Sequence, residues 1–503
     1  MITLYLGAYG HGKSTEIIEN IKKDFENKTR SFLIVPEQQT LVSERQLTIA
    51  LPPSAQLYTE ATNLTRLANS VFRKTGGLKY NYVTKSAQSL IMYRTICEVR
   101  GLLKHYNKIP VGREKSYIGM FLQAIGELKS YSVTVPLLSK ALTELEQSAS
   151  AETELLRAKV QDILTVWSCY DKLLLEKYDD PYDNLLLLEK KLGECGFFKG
   201  CNVYIDSFYG FTKSQLDVIS RIIGTADNVT FALDCPVDAD ENTLQYQKIV
   251  STKNKILRLC QKQNKDFEIL SFDTDYKHKS EELKYVCDKL WNFSAPSIAP
   301  TGDITLATAD DEFAECEYVC TRIKELASKG EKYGDIAIIA RNSSTYQGIL
   351  DFCLDKYEIP YYFSIPSKLS SKPVIKMVVS ALSALGGMRS EDIITYAKCG
   401  YLDISDYDLH AFESYIYKWN IYGKKFKNDD FWYANPDGFV KNPTISQMEE
   451  LDKIQEVRKI ILSMLSILEK PFSLGLSIKD CAVAVFEFLE AHRVRKKLLD
   501  EIK

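Results

Sequence analysis

The chain has 503 residues, 45% hydrophobic and 26% charged, a composition that excludes a disordered or fibrous protein and predicts about three or four domain-sized units. A net charge of -3 excludes a globally basic nucleic-acid binder but leaves room for a local basic groove. No apolar run reaches the ~20 residues of a membrane span, and Met1-Ile2-Thr3-Leu4-Tyr5 lacks the basic, then long apolar, pattern of a signal peptide, so a cytoplasmic protein is expected.

Ile2 to Leu6 predicts a short buried strand. It runs into Gly7-Ala8-Tyr9-Gly10-His11-Gly12-Lys13-Ser14-Thr15, a complete G-x-x-x-x-G-K-[ST] phosphate loop, and Ile17, Ile18 and Ile21 then recur at helical spacing. Strand, loop and helix in that order are the context such a loop needs. Its glycines let backbone N–H groups turn toward an anion. Lys13 is expected to reach the β- and γ-phosphates of ATP, and the Ser14 hydroxyl to hold Mg²⁺. Ser31 to Val35 is the next apolar strand, ended by Pro36, which makes the opening a βαβ unit. A third strand is expected at Gln56-Leu57-Tyr58, followed by a helix capped by Thr62 or Asn63.

From Thr84 to Gly200 strand signals give way to helical periodicity, clearest in Ile163, Val166, Trp167, Tyr170, Leu173 and Leu174. Leu185 to Leu188 and Leu192 belong to a further helix. This stretch reads as a helical insertion whose aromatic stripe is core. Strands return at Cys201 to Ile205 and Val229 to Leu233. Each ends in an aspartate, Asp206 and Asp234. A carboxylate at the C-terminal end of a parallel strand is where phosphate-loop folds hold their metal, and Asp206 is the better placed for that role because a helix follows it. Phe272 to Ala299 reads as a linker with one helix.

A second α/β block is expected from Asp303. It comprises a strand to Thr308, a helix from Asp311 with Phe313, Cys316, Val319, Cys320, Ile323 and Leu326 on one face, and a strand at Asp335 to Ala340 ending in Arg341. A helix from Thr345 and an extended Pro360 to Phe363 complete it. Beyond Pro373 the pattern is helical again, with aromatics among lysines (Tyr415, Tyr417, Lys418, Trp419, Tyr422, Lys424, Lys425, Lys427, Phe431, Trp432, Tyr433) that suit either base stacking or the core and rim of a subdomain. The last residues, Leu498 to Lys503, carry no helix stop signal, so a continuation is expected. Twelve cysteines are scattered without a C-x-x-C pair. Cys316 and Cys320 share a predicted helix, Cys195 and Cys201 flank a turn, and all read as reduced thiols rather than metal ligands.

Two α/β lobes, each with a helical insertion and the first with a phosphate loop, resemble the superfamily 1 helicases of the UvrD type. Gly7 to Thr15 match motif I. Val35-Pro36-Glu37-Gln38 sits at motif Ia, Tyr204-Ile205-Asp206-Ser207-Phe208 at motif II and Leu233-Asp234 near motif III. Ile336 to Arg341 looks like motif IV, whose arginine reaches the γ-phosphate. Within that superfamily the chain is similar to AddB, the B subunit of bacterial AddAB helicase–nuclease. The likeness is carried by Phe32 to Gln38, Thr65-Arg66-Leu67-Ala68, Tyr178-Asp179-Asp180-Pro181-Tyr182-Asp183 and Ile205 to Thr212, and covers nearly the whole chain.

The resemblance implies two RecA-like phosphate-loop lobes. Lobe 1A spans 1–83 and 201–299 and is interrupted by helical insertion 1B at 84–200. Lobe 2A spans 300–375, and an insertion 2B-like region spans 376–503. It also implies a bacterial, cytoplasmic, nucleoid-associated protein that binds ATP, Mg²⁺, single-stranded DNA and duplex ends, pairs with an AddA-like motor and nuclease subunit, and reads the Chi hotspot. Motifs V and VI, the nuclease domain and its iron–sulfur cluster would lie beyond Lys503. Ser207 stands where an active helicase has the glutamate that polarises the attacking water, and no residues precede the first strand to supply an adenine-contacting glutamine. The alternatives are an active superfamily 1 motor, against which Ser207 argues, and a phosphate-loop kinase, against which the second lobe argues.

Overall fold

The computed structural model describes residues 1–503 apart from 78–81, 108, 110–113, 147–150, 176–177, 181–182, 242–243, 293, 365–368, 440–442 and 502–503, so Pro181 and Tyr182 lie outside the described residues. The chain divides into two units, Met1–Leu306 and Ala307–Lys503.

The first unit is built on a six-stranded, all-parallel sheet. Its strands are β1 (Ile2–Leu6), β2 (Arg30–Ile34), β3 (Thr59–Thr62), β4 (Cys201–Ile205), β5 (Asn228–Leu233) and β6 (Phe267–Ser271), in the spatial order β3-β2-β4-β5-β1-β6. Side chains alternate between faces, and both faces are covered. Ile2, Leu4, Leu6, Phe32, Ile34, Val203, Phe231 and Leu233 enter one core, packed by the helices Leu64–Thr75, Asn184–Glu194, Lys213–Thr225 and Gln247–Lys262. Tyr5, Leu33, Val35, Tyr204 and Ala232 enter the other, where Ile17 and Ile21 of the helix Lys13–Glu26 meet them. On that face Asp24 accepts hydrogen bonds from Asn202 (2.7 Å) and the Tyr204 hydroxyl (2.8 Å), and burial pushes its carboxyl above the usual range.

Two edges differ from the sequence reading. Pro53 opens a 3-10 turn, Pro53–Leu57, because its ring fixes φ and removes an amide, so β3 begins at Thr59 rather than at Gln56, and Leu57 is exposed. β6 lies in front of the stretch read as a linker. It pairs with β1 as an edge strand, largely exposed, and lacks the apolar run that marks a central strand.

Between β3 and β4 lies the helical insertion. Met92, Ile96, Phe121, Ile125, Val166, Trp167, Tyr170 and Leu174 form its core, so the aromatic stripe is packing, as its spacing predicts. Buried Asp162 accepts three backbone N–H groups, from Lys104, His105 and Tyr106, at 2.8, 2.8 and 2.9 Å. The chain enters and leaves at one place. Tyr82 bridges Asp179 in parallel, Val83 N donates to Asp179 O (3.1 Å), and the Tyr82 hydroxyl donates to Asn184 (3.3 Å). Beside this crossing, buried Lys129 contacts Asp180 (2.8 Å), Asp183 (3.0 Å) and Asp171 (3.5 Å).

In the second unit the helix Glu312–Ser328 forms as read. Cys316, Cys320 and Ile323 pack on Leu350, Cys353, Leu354 and Ile359, while Phe313 is exposed. The three segments expected to be strands, Asp303–Thr308, Asp335–Ala340 and Pro360–Phe363, join no ladder among the described residues. An apolar run becomes a strand only when a neighbouring backbone pairs with it, and here Leu306, Ile339 and Tyr362 stand exposed instead. The C-terminal helices surround a second core. Within it Trp432 is fully buried and stacks on Phe412 and Tyr415, with ring centroids 5.8 and 5.4 Å away, under the Arg458 guanidinium. Tyr415 and Trp432 are therefore core. Tyr417, Tyr422 and Tyr433 remain exposed, and Lys425 lies over the Tyr422 and Phe431 rings.

Candidate nucleotide site

The C-terminal ends of β1, β4, β5 and β6 bring together the loop Gly7–Thr15, Asp206, Asp234 and Phe272. A parallel sheet with helices on both faces leaves its crevice at this edge. The loop delivers the helix Lys13–Glu26, whose first turn carries no side-chain cap and starts from Gly12 at φ 84, a left-handed backbone that suits glycine. Its uncapped N–H groups are the donors that an anion satisfies. A phosphate chain therefore fits the residues that the structure places here.

Lys13 is buried. Its ammonium donates to the carbonyls of Gly7 (2.8 Å) and Ala8 (2.7 Å) and pairs with Asp234 Oδ1 at 2.9 Å. Asp206 extends β4, with its amide donating to Ile34 O (3.1 Å). Burial pushes its carboxyl up, against the opposing hydrogen bonds of the Ser14 hydroxyl and the Ser207 amide; Ser207 N lies 2.7 Å from Asp206 Oδ1. Ser207 has φ 65, so the chain leaves β4 in a left-handed turn. Ser14 and Asp206 together are the pair that suits Mg²⁺, which binds few protein ligands and completes its shell with water and phosphate. Among the described residues no group of three or more His, Cys, Asp or Glu side chains is arranged to hold a metal.

The segment after β6 closes over the loop. His11 donates from Nδ1 to the Phe272 carbonyl at 2.7 Å, Tyr276 N donates to Gly10 O at 3.1 Å, and the Lys277 ammonium lies 4.2 Å from the Tyr9 ring centre. A Cβ on Gly7 would collide with the Phe272 carbonyl, so glycine is required there by packing. Beside the loop opens a cavity of about 350 Å³, lined by Tyr9, His11, Asp234, Tyr246, Cys287 and Trp291 among others.

Gly7, Ala8, Tyr9, Gly10, His11, Gly12, Lys13, Ser14, Thr15 and Asp206 thus meet at one edge, while Arg341 lies in the second unit, exposed, directly after Ile336–Ala340. Sequence reasoning misses two partners. Asp234 falls beside motif III with no sign of its pairing to Lys13, and the covering segment 272–278 reads as linker. The aspartate ending a second parallel strand is the available signal for the first.

Residues 4–286 match the family model described as ADDB, N-terminal. The chain belongs to the AddB N-terminal family. It is 27% identical over 514 residues to the B subunit of the ATP-dependent helicase/deoxyribonuclease of Clostridium tetani, covering 99% of this chain and 44% of that protein. The proteins of the same name from Clostridium perfringens and Thermoanaerobacter pseudethanolicus are 26% and 25% identical, covering 97% and 100% of this chain and 43% and 44% of theirs. The chain therefore spans less than half the length of these AddB relatives. No described helix is long and apolar enough to cross a membrane.

Proposed function

We propose that this chain is the N-terminal, helicase-like portion of the B subunit of an ATP-dependent helicase/exodeoxyribonuclease that processes DNA double-strand breaks for recombinational repair. The observation that carries this reading is the meeting of Lys13, Ser14 and Asp206 at the C-terminal edge of a parallel sheet, with Ser207 rather than a carboxylate after Asp206. Such a site binds and neutralises the β- and γ-phosphates of ATP through the loop amides and Lys13. Ser14 and Asp206 would hold Mg²⁺, which supplies charge neutralisation on the phosphates. A base to activate water is lacking at Ser207, so the chain binds ATP with weak or no motor activity of its own.

In this reading residues 1–83 and 201–299 are lobe 1A, 84–200 insertion 1B, 300–375 lobe 2A and 376–503 a 2B-like insertion, in a two-lobed RecA-like arrangement. Arg341, exposed in the second unit, is the arginine that this reading assigns to the γ-phosphate. Single-stranded DNA from a duplex end passes along the lobes, held by phosphate contacts and scanned for Chi, while an A subunit supplies the motor. In this reading a nuclease and an iron–sulfur cluster belong to the part of the subunit outside residues 1–503. The protein works in the bacterial cytoplasm, at the nucleoid.

The test is titration calorimetry with ATP and Mg²⁺, alongside steady-state ATP turnover with single-stranded DNA. The expected result is binding that depends on Lys13 with turnover near background. DNA-stimulated turnover at a motor's rate, abolished by Lys13→Ala, would favour the active-helicase reading instead.

A further inference from the structure

The cavity beside the loop holds a cluster that the nucleotide reading does not use. His278 Nδ1 lies 3.0 Å from Asp275 Oδ2, and its Nε2 lies 3.5 Å from the sulfur of Cys287. Asp275 is fixed in turn. It accepts the amides of His278 (3.0 Å) and Lys277 (2.9 Å), and these bonds, with the imidazole contact, hold its carboxyl down at about 2. An ionised carboxylate on Nδ1 keeps the proton on that nitrogen and leaves Nε2 free to accept one from the thiol. Cys287 is exposed, on the helix Glu281–Lys289, while His278 and Asp275 are largely covered. Among the described residues no other cysteine sulfur is in hydrogen-bond contact with a histidine ring.

We propose that Cys287 is an activated thiol that exchanges with small disulfides. The Cys287 proton passes to His278 Nε2, and the thiolate attacks one sulfur of the disulfide. A new S–S bond forms to Cys287 as the old one breaks, and the departing thiolate takes the proton from Nε2 and leaves as a thiol. The small disulfide is reduced and Cys287 oxidised, so no further oxidant is required. Asp234 and Asp288 also border the cavity and oppose a thiolate, so activation rests on His278, and they select a disulfide without net negative charge. The adduct would occupy the cavity that Ala8, Tyr9 and His11 line and so narrow access to the phosphate loop. Only this last step rests on the nucleotide reading.

The experiment uses the full 503-residue chain, without nucleotide, treated with limiting hydroxyethyl disulfide and quenched at intervals, each cysteine being followed by peptide mass. Cys97, also exposed, is the internal reference. Cys287 is expected to react at least about a hundredfold faster than Cys97, the lower end of what a positioned base provides, and His278→Gln and Asp275→Asn to reduce that advantage. Buried Cys235 and Cys260 staying unreactive in each variant shows that the fold is intact. Equal rates for the two cysteines in the wild-type chain, or an advantage that survives His278→Gln, would overturn the proposal. Neither outcome depends on whether ATP binds. With the adduct in place, ATP affinity by calorimetry is expected to fall; unchanged affinity in a chain shown to bind ATP would refute the occlusion step alone.

Discussion

Lys13 Nζ lies 2.9 Å from Asp234 Oδ1, so the lysine proposed to meet phosphate is already paired with a neighbouring strand's carboxylate. To serve ATP it must exchange that partner. Asp234→Asn is expected to tighten ATP binding about fivefold, the order of the ~1 kcal/mol of a partly exposed ion pair. Lys13→Ala is expected to weaken it at least about tenfold, since a charge-assisted hydrogen bond contributes roughly 1.5–3 kcal/mol. Titration calorimetry reads both, and unchanged affinity in both variants would remove the phosphate role of Lys13.

Asp206 gives a pH prediction. Burial raises its carboxyl above the ordinary value, so the folded chain holds that proton more tightly than the unfolded chain does. Between the two values the native state binds more protons, and stability from this group falls as pH rises through the raised value. Asp206→Asn removes the penalty. The variant should match the wild type in acid and melt at a higher temperature above the raised value, while losing Mg²⁺-dependent ATP binding. A melting difference that shrinks as pH rises would contradict this.

Ser207 sits at φ 65, where a β-branched side chain costs about 1–2 kcal/mol. Ser207→Val is expected to lose that much in urea unfolding. Ser207→Gly should stay near the wild type, because strain relief offsets the glycine entropy of about 0.5–1 kcal/mol. Ser207→Glu should not create a motor, since the left-handed turn does not present the side chain as a continued strand would. A large gain in ATP turnover would show that one carboxylate was all the site lacked.

Lys129 is the charge that the insertion is tied by. Burial pulls its ammonium down, but Asp180, Asp183 and Asp171 outweigh this and leave it raised. Lys129→Met removes the buried ammonium from among Asp180, Asp183 and Asp171 and should cost about 3–5 kcal/mol, the scale for breaking a buried pair. Denaturant unfolding followed by insertion tryptophan fluorescence would check it, Trp167 lying in that core. A loss below about 1 kcal/mol would mean that water already screens the cluster.

How much of this was legible follows the hydrogen-bond ladder. β1, β2, β4 and β5 are central and covered on both faces, so their sequences are apolar runs that can be read directly. β3 and β6 are edges. Thr59–Thr62 is polar and short, and Phe267–Ser271 mixes Glu268 with exposed Ile269 and Leu270. The loop and Asp206 were legible because their chemistry sits at fixed spacing after a strand. His11 and Phe272 meet across 261 positions, which no local pattern encodes. Asp335–Ala340 shows the converse error. Its composition suits a strand, but composition does not supply a paired neighbour.

The crossing at Tyr82 and Asp179 makes the helical insertion a loop closed at its base. Because its two ends meet outside the sheet, between the helices Leu64–Thr75 and Asn184–Glu194, the sheet's strand order is indifferent to how many residues lie between them. Closure entropy grows only logarithmically, about 0.6 kcal/mol per doubling of length. The insertion is therefore free to lengthen, shorten or be exchanged with little effect on the nucleotide edge, and a short linker joining Val83 to Asn184 should leave a sheet that still folds around its loop.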